Sequence, residues 1–248
     1  MLISTDNIVD KNSINNTVDF ESGSVILVDK PLHWTSFDVV NKLRFKIKHG
    51  LGIRKIKVGH AGTLDPLATG LLIVCTGKKT KDIDQLQGLH KKYSGTITLG
   101  ATTPTYDAEV EPTAFFPTDH ITPDNIVKAK NLFIGEVDQI PPVYSAVKIK
   151  GKSAYSLARR GVDVELKPRR IQIMDFAVDT SSFPVLSFEC TCSKGTYIRS
   201  LAHDFGQSLN SGAYLSSLRR EAIGDYDVVN ALSMDEALAY IDKVTEAK

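Results

Sequence analysis

Short apolar runs with strand character dominate this chain, and they constrain its fold more than any other feature. Residues 25–28 and 71–75 are uninterrupted apolar runs, which is typical of buried strands. Residues 93–99 alternate between apolar and polar side chains, as expected for a strand with one exposed face. Further strands are predicted at residues 143–149, 170–178 and 185–192.

Helices are marked by capping residues and by apolar side chains at helical spacing. Thr35 or Ser36 can cap a helix whose apolar face includes Val39, Leu43 and Ile47. The other predicted helices begin near residues 80, 122, 197 and 233. Because the strands outnumber the helices and do not alternate regularly with them, we predict an α+β fold with a largely antiparallel sheet.

The first 22 residues differ in composition from the rest of the chain. They are polar, rich in Asn, Asp and Ser, and lack hydrophobic periodicity. We therefore expect residues 1–22 to form a mobile tail and residues 23–248 to form one folded domain. A chain of 248 residues is long enough to bury a large core.

Several sequence features bear on where the protein works. The N-terminus lacks the pattern of a signal peptide, and no apolar stretch is long enough to cross a membrane. Cys75, Cys190 and Cys192 are too few and wrongly spaced for a zinc site, and an odd number fits a reducing compartment. These features predict a cytoplasmic protein without membrane association.

The segment from Gly59 to Gly70 is the most unusual one in the chain. It is rich in glycine, which allows a backbone to approach a ligand closely, and it contains His60 and Asp65. We expect residues 58–70 to form a loop, and loops on rigid scaffolds commonly carry catalytic groups. An Asp before Pro66 is also ordinary turn chemistry, so composition alone leaves both interpretations open. The segment matches neither a phosphate-binding loop nor a nucleophile elbow, and it lacks the clustered ligands of a metal site.

Basic side chains cluster just before this segment, although the whole chain is almost neutral, with 30 Lys and Arg against 29 Asp and Glu. Residues 39–64 contain seven basic side chains and no acidic one. These seven are Lys42, Arg44, Lys46, Lys48, Arg54, Lys55 and Lys57. A second basic stretch comprises Lys148, Lys150, Lys152, Arg159 and Arg160. The clustering favours a phosphate-binding surface over the alternative of a solvated helix face.

Arg199 follows a Gly-Thr turn and lies in the first turns of a predicted helix. A positive charge is unfavourable at a helix N-terminus because it opposes the helix dipole. Pairing with a buried carboxylate would explain the position, and a surface arginine is the alternative.

Five motifs, taken in order along the chain, carry a family resemblance. The first motif has three parts, VDKP at residues 28–31, WTS at 34–36 and GHAGTLDPLATG at 59–70. The second is KY at 92–93, and the third is PPVYSAVK at 141–148 followed by GK at 151–152. The fourth is SKGTYIR at 193–199, and the fifth is LRR at 218–220. This ordered set resembles the TruB family of bacterial tRNA pseudouridine(55) synthases.

The resemblance implies a fold, an activity and a partner. It implies the pseudouridine-synthase fold, with a mixed and mainly antiparallel sheet, flanking helices and a central RNA-binding cleft. It implies isomerisation of uridine 55 in the T-loop of tRNA, without a metal or other cofactor, by a monomer that needs no protein partner. The alternative is a non-catalytic RNA chaperone that grips the T-arm stem-loop. Because only residues 221–248 follow Arg220, we expect no full C-terminal RNA-binding domain of the kind that many members carry.

The resemblance also implies roles for individual residues. Asp65 is the catalytic carboxylate, acting on the sugar as a nucleophile or as a base, and Arg199 is its partner. Tyr93 stacks on the flipped base, and Tyr197 and Leu218 line the pocket. The expected RNA-binding residues are His60, which helps to wedge the RNA loop open, and Lys30, Lys42, Arg44, Lys46, Lys55, Lys57, Lys148 and Lys152. Lys30 and Pro31 are also expected to support the loop that carries Asp65.

Overall fold

Strands outnumber helices in the computed structural model, which describes residues 7–145, 147–149 and 151–246. In chain order the strands are β1 (Ile8–Val9), β2 (Val25–Lys30), β3 (Val58–His60), β4 (Ala68–Thr76), β5 (Lys91–Leu99), β6 (Ala101–Thr102), β7 (Ala114–Phe115), β8 (Gly135–Gln139), β9 (Lys148–Ile149), β10 (Lys152–Ser153), β11 (Arg169–Asp179), β12 (Val185–Cys192), β13 (Ala213–Ile223) and β14 (Tyr226–Asp227).

Four of the helices begin within one residue of the predicted positions, one begins at Ile83 rather than near residue 80, and one, at Ala154–Ala158, was not predicted. The helices are α1 (Ser36–Gly50), α2 (Ile83–Gly88), α3 (Pro123–Asn131), α4 (Ala154–Ala158), α5 (Ile198–Ser208) and α6 (Met234–Glu246). Thr35, rather than Ser36, caps α1, and it forms a capping box with Asp38. Ser233 and Glu236 form the predicted capping box of α6. Within the described part of the chain, no helix combines the length and apolar character needed to cross a membrane.

The chain divides into two compact units, and the first comprises the residues up to 93 together with those from 219 onward. In this unit β1 pairs in parallel with β2, and β2 and β3 both pair antiparallel with β4. The end of β13 lies beside β4 and pairs antiparallel with β14. One core cluster contains Leu72 and Val74 with the inner faces of α1 and α6, and another contains Leu71 and Ile73. Because β4 is buried on both faces, it forms an uninterrupted apolar run in the sequence.

The second unit comprises residues 94–218. Its main sheet has the strand order β13, β5, β12, β11, β8, and β11 is antiparallel to both of its neighbours. Phe176 lies at its centre, with edge-on contacts to Phe188 and Phe205. Gly95 packs directly against β13, where a Cβ atom would lie 2.2 Å from the carbonyl oxygen of Ser217. The strand pairings of the two units confirm the predicted α+β class with a mixed, mainly antiparallel sheet.

The N-terminal segment differs from the predicted mobile tail. Val9, Val18 and Phe20 are buried in the same core cluster as α1 and α6. The Tyr240 hydroxyl donates a hydrogen bond to the carbonyl of Asn16 at 2.8 Å. The prediction is therefore wrong for residues 7–22, because a few apolar side chains, spaced without period among polar ones, fill gaps in the core. Residues 1–6 lie outside the described residues.

Three other predictions need correction or completion. The segment 58–70 is not all loop, because β3 occupies its start and β4 begins at Ala68. The strand predicted at residues 143–149 is wrong for residues 143–145, and strand structure is described only at Lys148–Ile149. Ala146 in this stretch is outside the described residues. The sequence analysis also missed β8 and β13, whose polar side chains mask their strand character.

Candidate active site

Asp65 lies in the segment that joins β3 to β4. The backbone N–H of Ala61 donates to the carbonyl of Ile73 at 2.9 Å, and that of Ala68 donates to the carbonyl of Asp65 at 3.0 Å. Ala61 and Leu64 are buried, whereas Asp65 is half-buried. The segment is thus anchored at both ends, and residues 61–67, which contain the predicted catalytic residue Asp65, are called the catalytic loop below.

Ser36, at the start of α1, fixes the residue before Asp65. Its hydroxyl donates to the carbonyl of Leu64 at 3.1 Å and accepts from the N–H of Leu64 at 2.8 Å. On the other side of Asp65, the N–H of His33 donates to the carbonyl of Pro66 at 2.8 Å. Both neighbours of Asp65 are therefore held by the segment that leads into α1. The sequence analysis treated Ser36 only as a possible cap.

Arg220 supports the catalytic loop from within the first unit. Its side chain is fully buried, and it donates to the carbonyls of Leu71 at 2.7 Å and Gly62 at 3.1 Å. It also reaches the carbonyl of Thr63 at 3.5 Å, and it hydrogen-bonds the side chain of Tyr93. Burial lowers the pKa of the Arg220 guanidinium, and the contact with Tyr93 opposes that change.

The backbone of Arg220 requires glycine at position 70. Gly70 has a φ of +103°, and a Cβ atom there would lie 2.3 Å from the Arg220 carbonyl oxygen. Only glycine permits both this backbone conformation and this approach. The glycine at the end of the catalytic motif thus allows β13 to place Arg220 beneath the loop.

Lys30 is a second buried cation beside the catalytic loop. Its ammonium donates to the carbonyls of Trp34 at 2.6 Å and Pro31 at 3.0 Å. Burial lowers the pKa of Lys30 to about 8, and the negative charge of Asp65 acts in the opposite direction. Because Lys30 has no exposed surface, the prediction that it contacts RNA is wrong. Its position instead supports the chain around the loop.

His60 ends β3, next to the catalytic loop. Burial lowers the pKa of its imidazole, and the positive charge of Arg220 lowers it further. Both effects favour the neutral ring at neutral pH. The role of His60 as a wedge in RNA remains a prediction.

Arg199 is a buried arginine of the second unit. Its Nε lies 3.6 Å from Oδ2 of Asp107, and both side chains are less than a tenth exposed. The guanidinium also donates to the carbonyls of Thr105 at 3.1 Å and Tyr144 at 3.0 Å. A buried carboxylate thus accompanies this arginine, as its place at a helix start suggested. The pairing of Arg199 with Asp65 remains a prediction.

Asp107 and Gln139 are two residues of this unit that the sequence analysis missed. Asp107 accepts hydrogen bonds from the Thr105 hydroxyl at 2.6 Å and from the N–H of Glu109 at 3.0 Å. The Gln139 amide bonds both backbone groups of Tyr197, accepting at 2.8 Å and donating at 3.0 Å. It therefore fixes the start of α5. Neither residue stands in a local pattern that would have indicated its role.

The aromatic and apolar residues expected in the pocket fall in different units. Tyr93 is almost buried and belongs to the first unit, whereas Tyr197 and Leu218 are half-buried and belong to the second. Their common use in one pocket remains a prediction.

The basic residues predicted to bind RNA fall into two groups. Arg44 donates to the Asn41 side chain at 2.7 Å and to the Val58 carbonyl at 2.9 Å, and Lys46 pairs with Asp242 at 2.6 Å. These two side chains therefore make internal contacts. The others are exposed, namely Lys42, Lys55 and Lys57 in the first unit and Lys148 and Lys152 in the second.

Possible metal ligands are not gathered in one place. Over the residues that the structure describes, no three His, Cys, Asp or Glu side chains lie close enough together to hold a metal ion. Cys75, Cys190 and Cys192 are buried free thiols. The site described above is thus built from a carboxylate, two buried cations and a tyrosine.

Comparisons with solved structures concern the fold. A chain of a Cbf5–Nop10–Gar1 complex is 28% identical with a TM-score of 0.64, over 89% of this chain and 55% of that one. A chain of an H/ACA ribonucleoprotein bound to a substrate RNA containing 2′-deoxyuridine is 25% identical with a TM-score of 0.64, over 92% of this chain and 56% of that one. This chain therefore spans a little over half the length of these solved chains.

Comparisons with sequences concern the family. Residues 48–198 match the model of the TruB family pseudouridylate synthase N-terminal domain. A tRNA pseudouridine synthase B of Phocaeicola vulgatus is 50% identical over 226 residues, which cover 91% of this chain and 96% of that protein. The protein of the same name from Flavobacterium johnsoniae is 51% identical over 217 residues, which cover 87% and 95% of the two chains. The matches confirm the predicted fold, and the chain belongs to the TruB family of pseudouridylate synthases.

Proposed function

We propose that this chain isomerises uridine to pseudouridine in tRNA, at position 55 of the T-loop. Its family and the names of its relatives support the reaction and the class of RNA. The observation that carries the proposal is the placement of Asp65. This carboxylate is half-buried, its neighbours on both sides are fixed by hydrogen bonds, and two buried cations lie close to its loop.

The reaction places specific demands on such a site. The bond between N1 of the base and C1′ of the sugar breaks, the base turns, and C5 bonds to C1′. N1 then gains a proton and C5 loses one, so that the product has the same atoms as the substrate. The reaction has no net oxidation or hydrolysis, and a carboxylate with a well-defined position is sufficient to begin it.

Asp65 can act in either of two ways. As a nucleophile, its carboxylate attacks C1′ as the base leaves, and it is released when C5 attacks the same carbon. As a base, it removes a proton from the sugar and returns it after the base has turned. Both roles require the ionised carboxylate, and nearby positive charge favours that form. Lys30 interacts electrostatically with Asp65, and Arg220 bonds the carbonyls of the same loop.

The reacting base is stacked inside folded RNA and must be turned out before reaction. A turned-out base is commonly held by an aromatic side chain. We assign this role to Tyr93, whose contact with Arg220 holds it beside the catalytic loop. Tyr197 and Leu218 are proposed to line the same pocket, His60 to hold the RNA loop open, and Arg199 to pair with Asp65. Lys42, Lys55 and Lys57 of the first unit and Lys148 and Lys152 of the second are proposed to bind phosphates.

Site-resolved mapping of pseudouridine on an unmodified tRNA transcript tests the proposal. The intact protein should produce one new pseudouridine at position 55, and Asp65→Asn should produce none while it still binds the tRNA. Asp119→Asn is a matched control, because it makes the same chemical change on an exposed aspartate outside the site. Loss of the carboxylate should lower turnover by at least about 10²–10⁴-fold.

The other outcomes separate the parts of the proposal. Turnover retained by Asp65→Asn would remove Asp65 from catalysis. Pseudouridine at a different position would contradict the assignment of the target uridine. Tight tRNA binding by an intact protein that forms no pseudouridine would favour a binding module that grips the T-arm.

A further inference from the structure

His33 adopts a backbone conformation that is unfavourable for its residue type. Its φ is +67°, in the left-handed region, which carries a steric cost for a residue with a Cβ atom. The conformation brings its N–H to the Pro66 carbonyl at 2.8 Å. Glycine would make the same backbone bond without this cost. The backbone hydrogen bond therefore does not explain why this position carries an imidazole ring, which is exposed to solvent.

The imidazole lines an open groove in the first unit, called the α1 groove. Its volume is about 510 Å³, and it is lined by His33, Trp34, Asp38, Asn41 and Lys42. Trp34 is half-buried and packs against the core cluster of α1, and its carbonyl is held by Lys30 at 2.6 Å. The indole is thus a fixed surface that contacts both the core and the groove.

The charged side chains of the α1 groove are in different situations. Asp38 is occupied by the capping box, accepting from the Thr35 N–H at 2.9 Å and its hydroxyl at 2.6 Å. Lys42 lies one turn further along α1, is exposed, and has no ion-pair partner among the residues described. The ammonium of Lys42 is therefore available to an anion that enters the groove.

The groove offers two aromatic rings, an ammonium group and an amide within a volume suited to a small ligand. Stacking on an aromatic ring combined with a nearby cation is how proteins bind single nucleotides of an RNA strand. Polar side chains stand beside these rings, as the base and phosphate of a nucleotide require, whereas a docked apolar protein segment would not use the ammonium group. The chemistry of the groove therefore favours a nucleotide.

We propose that the α1 groove binds an unpaired nucleotide of the RNA substrate, distinct from the reacting uridine. Its base would stack on Trp34 and His33, and its phosphate would contact Lys42. The inference rests on the proposed function, because the bound RNA is taken to be the substrate. Since His33 also bonds Pro66, the occupied groove lies one residue from Asp65 and fixes the RNA relative to the catalytic loop.

The variant His33→Gly separates the imidazole from the backbone. It removes the ring but keeps the N–H and relieves the left-handed strain, so it should unfold at a temperature no lower than that of the intact protein. Its Kd for a T-arm stem-loop RNA should rise about 5-fold or more, as expected for the loss of a stacking partner. A second variant, His33→Ala, removes the same ring but keeps a Cβ atom and therefore the strain of the left-handed backbone conformation. It should show the same rise in Kd with lower thermal stability.

Lys42→Gln tests the phosphate contact independently. It should raise Kd and reduce the slope of log Kd against log salt concentration by about one counterion. Lys81→Gln, an exposed lysine of the same unit outside the groove, is the matched control and should leave Kd unchanged. For the groove variants, KM in pseudouridine formation should change more than kcat.

The outcomes distinguish the inference from the function on which it rests. Unchanged Kd values for His33→Gly and Lys42→Gln, with normal pseudouridine formation by the intact protein, would overturn the groove assignment alone. An intact protein that forms no pseudouridine, but whose RNA affinity falls in His33→Gly, would support the groove and overturn only the proposed function.

Discussion

Arg220 in the first unit and Arg199 in the second are both buried, but their charges are balanced in different ways. Arg199 has a buried carboxylate, Asp107, beside it. Arg220 bonds backbone carbonyls and Tyr93, and no described acidic side chain lies within ion-pair distance of it. Carbonyl dipoles satisfy hydrogen bonds without cancelling a charge. Arg220 therefore keeps its positive charge beside the loop that carries Asp65, whereas Arg199 lies beside a carboxylate whose position is fixed by its own hydrogen bonds.

The largest expected effect comes from removing Arg220. Arg220→Met removes the donor to the buried carbonyl of Leu71 and the donors to the partly buried carbonyls of Gly62 and Thr63, and it should lower the free energy of unfolding by about 3–5 kcal/mol. Urea denaturation measures this loss. Arg219→Met is the matched control, because the adjacent arginine forms a partly exposed ion pair with Asp29, and such pairs contribute about 0–1 kcal/mol. Equal losses in the two variants would show that Arg220 does not support the loop.

A smaller effect is expected when the carboxylate beside Arg199 in the second unit is replaced by a neutral amide. Asp107→Asn removes the buried carboxylate beside Arg199 but keeps its carbonyl and amide acceptors, and it should destabilise the protein by about 1–3 kcal/mol. A double-mutant cycle with Arg199→Met should give a coupling energy of about 0.5–3 kcal/mol. Asp29→Asn is the matched control, because it makes the same change in the partly exposed ion pair between Arg219 and Asp29. A coupling energy near zero would mean that the two buried arginines do not differ in the way described.

The most gradual effect, small for each pH unit, concerns the other buried cation, Lys30. Burial lowers its pKa from 10.5 to about 8 in the folded protein, so the unfolded chain binds more protons between these values. The free energy of unfolding should therefore rise with pH across this window, by up to about 1.4 kcal/mol per pH unit. Denaturation at about pH 8 and pH 10 measures the slope. Lys30→Met should lack this contribution, and identical slopes would contradict the burial of a charged Lys30.

Local patterns in the sequence predicted the elements whose residues carry their own signal. The apolar run of β4 and the capping box of α6 are examples. A strand that is buried on both faces has consecutive apolar residues, and a helix start has characteristic capping residues. β1 and Phe20 could not be predicted in this way. Their burial depends on contacts with β2, α1 and α6, and nothing in residues 7–22 alone indicates those contacts.

The same distinction holds for the candidate site. Asp65 was singled out by its glycine-rich motif and Arg199 by its place at a helix start. Ser36 and Arg220 also stand in recognised motifs, but nothing in those motifs shows which groups they bond. Ser36, Arg220 and Gln139 act on backbone groups 28, 149 and 58 residues away in the chain. Supporting residues of this kind are chosen by the fold, since a serine or a glutamine has no local feature that identifies a distant carbonyl as its partner.

The paired hydrogen bonds between Ser36 and Leu64 have a consequence for motion. The Leu64 amide is bound to a buried hydroxyl of a long helix, so its hydrogen can exchange with solvent only when the loop and α1 separate. Such an opening breaks two bonds at once and belongs with the slow, cooperative motions of a core rather than with the fast motions of a lid. The residues around Asp65 therefore act as a fixed frame, and the adjustment that admits a substrate takes place in other segments of the protein or in the RNA.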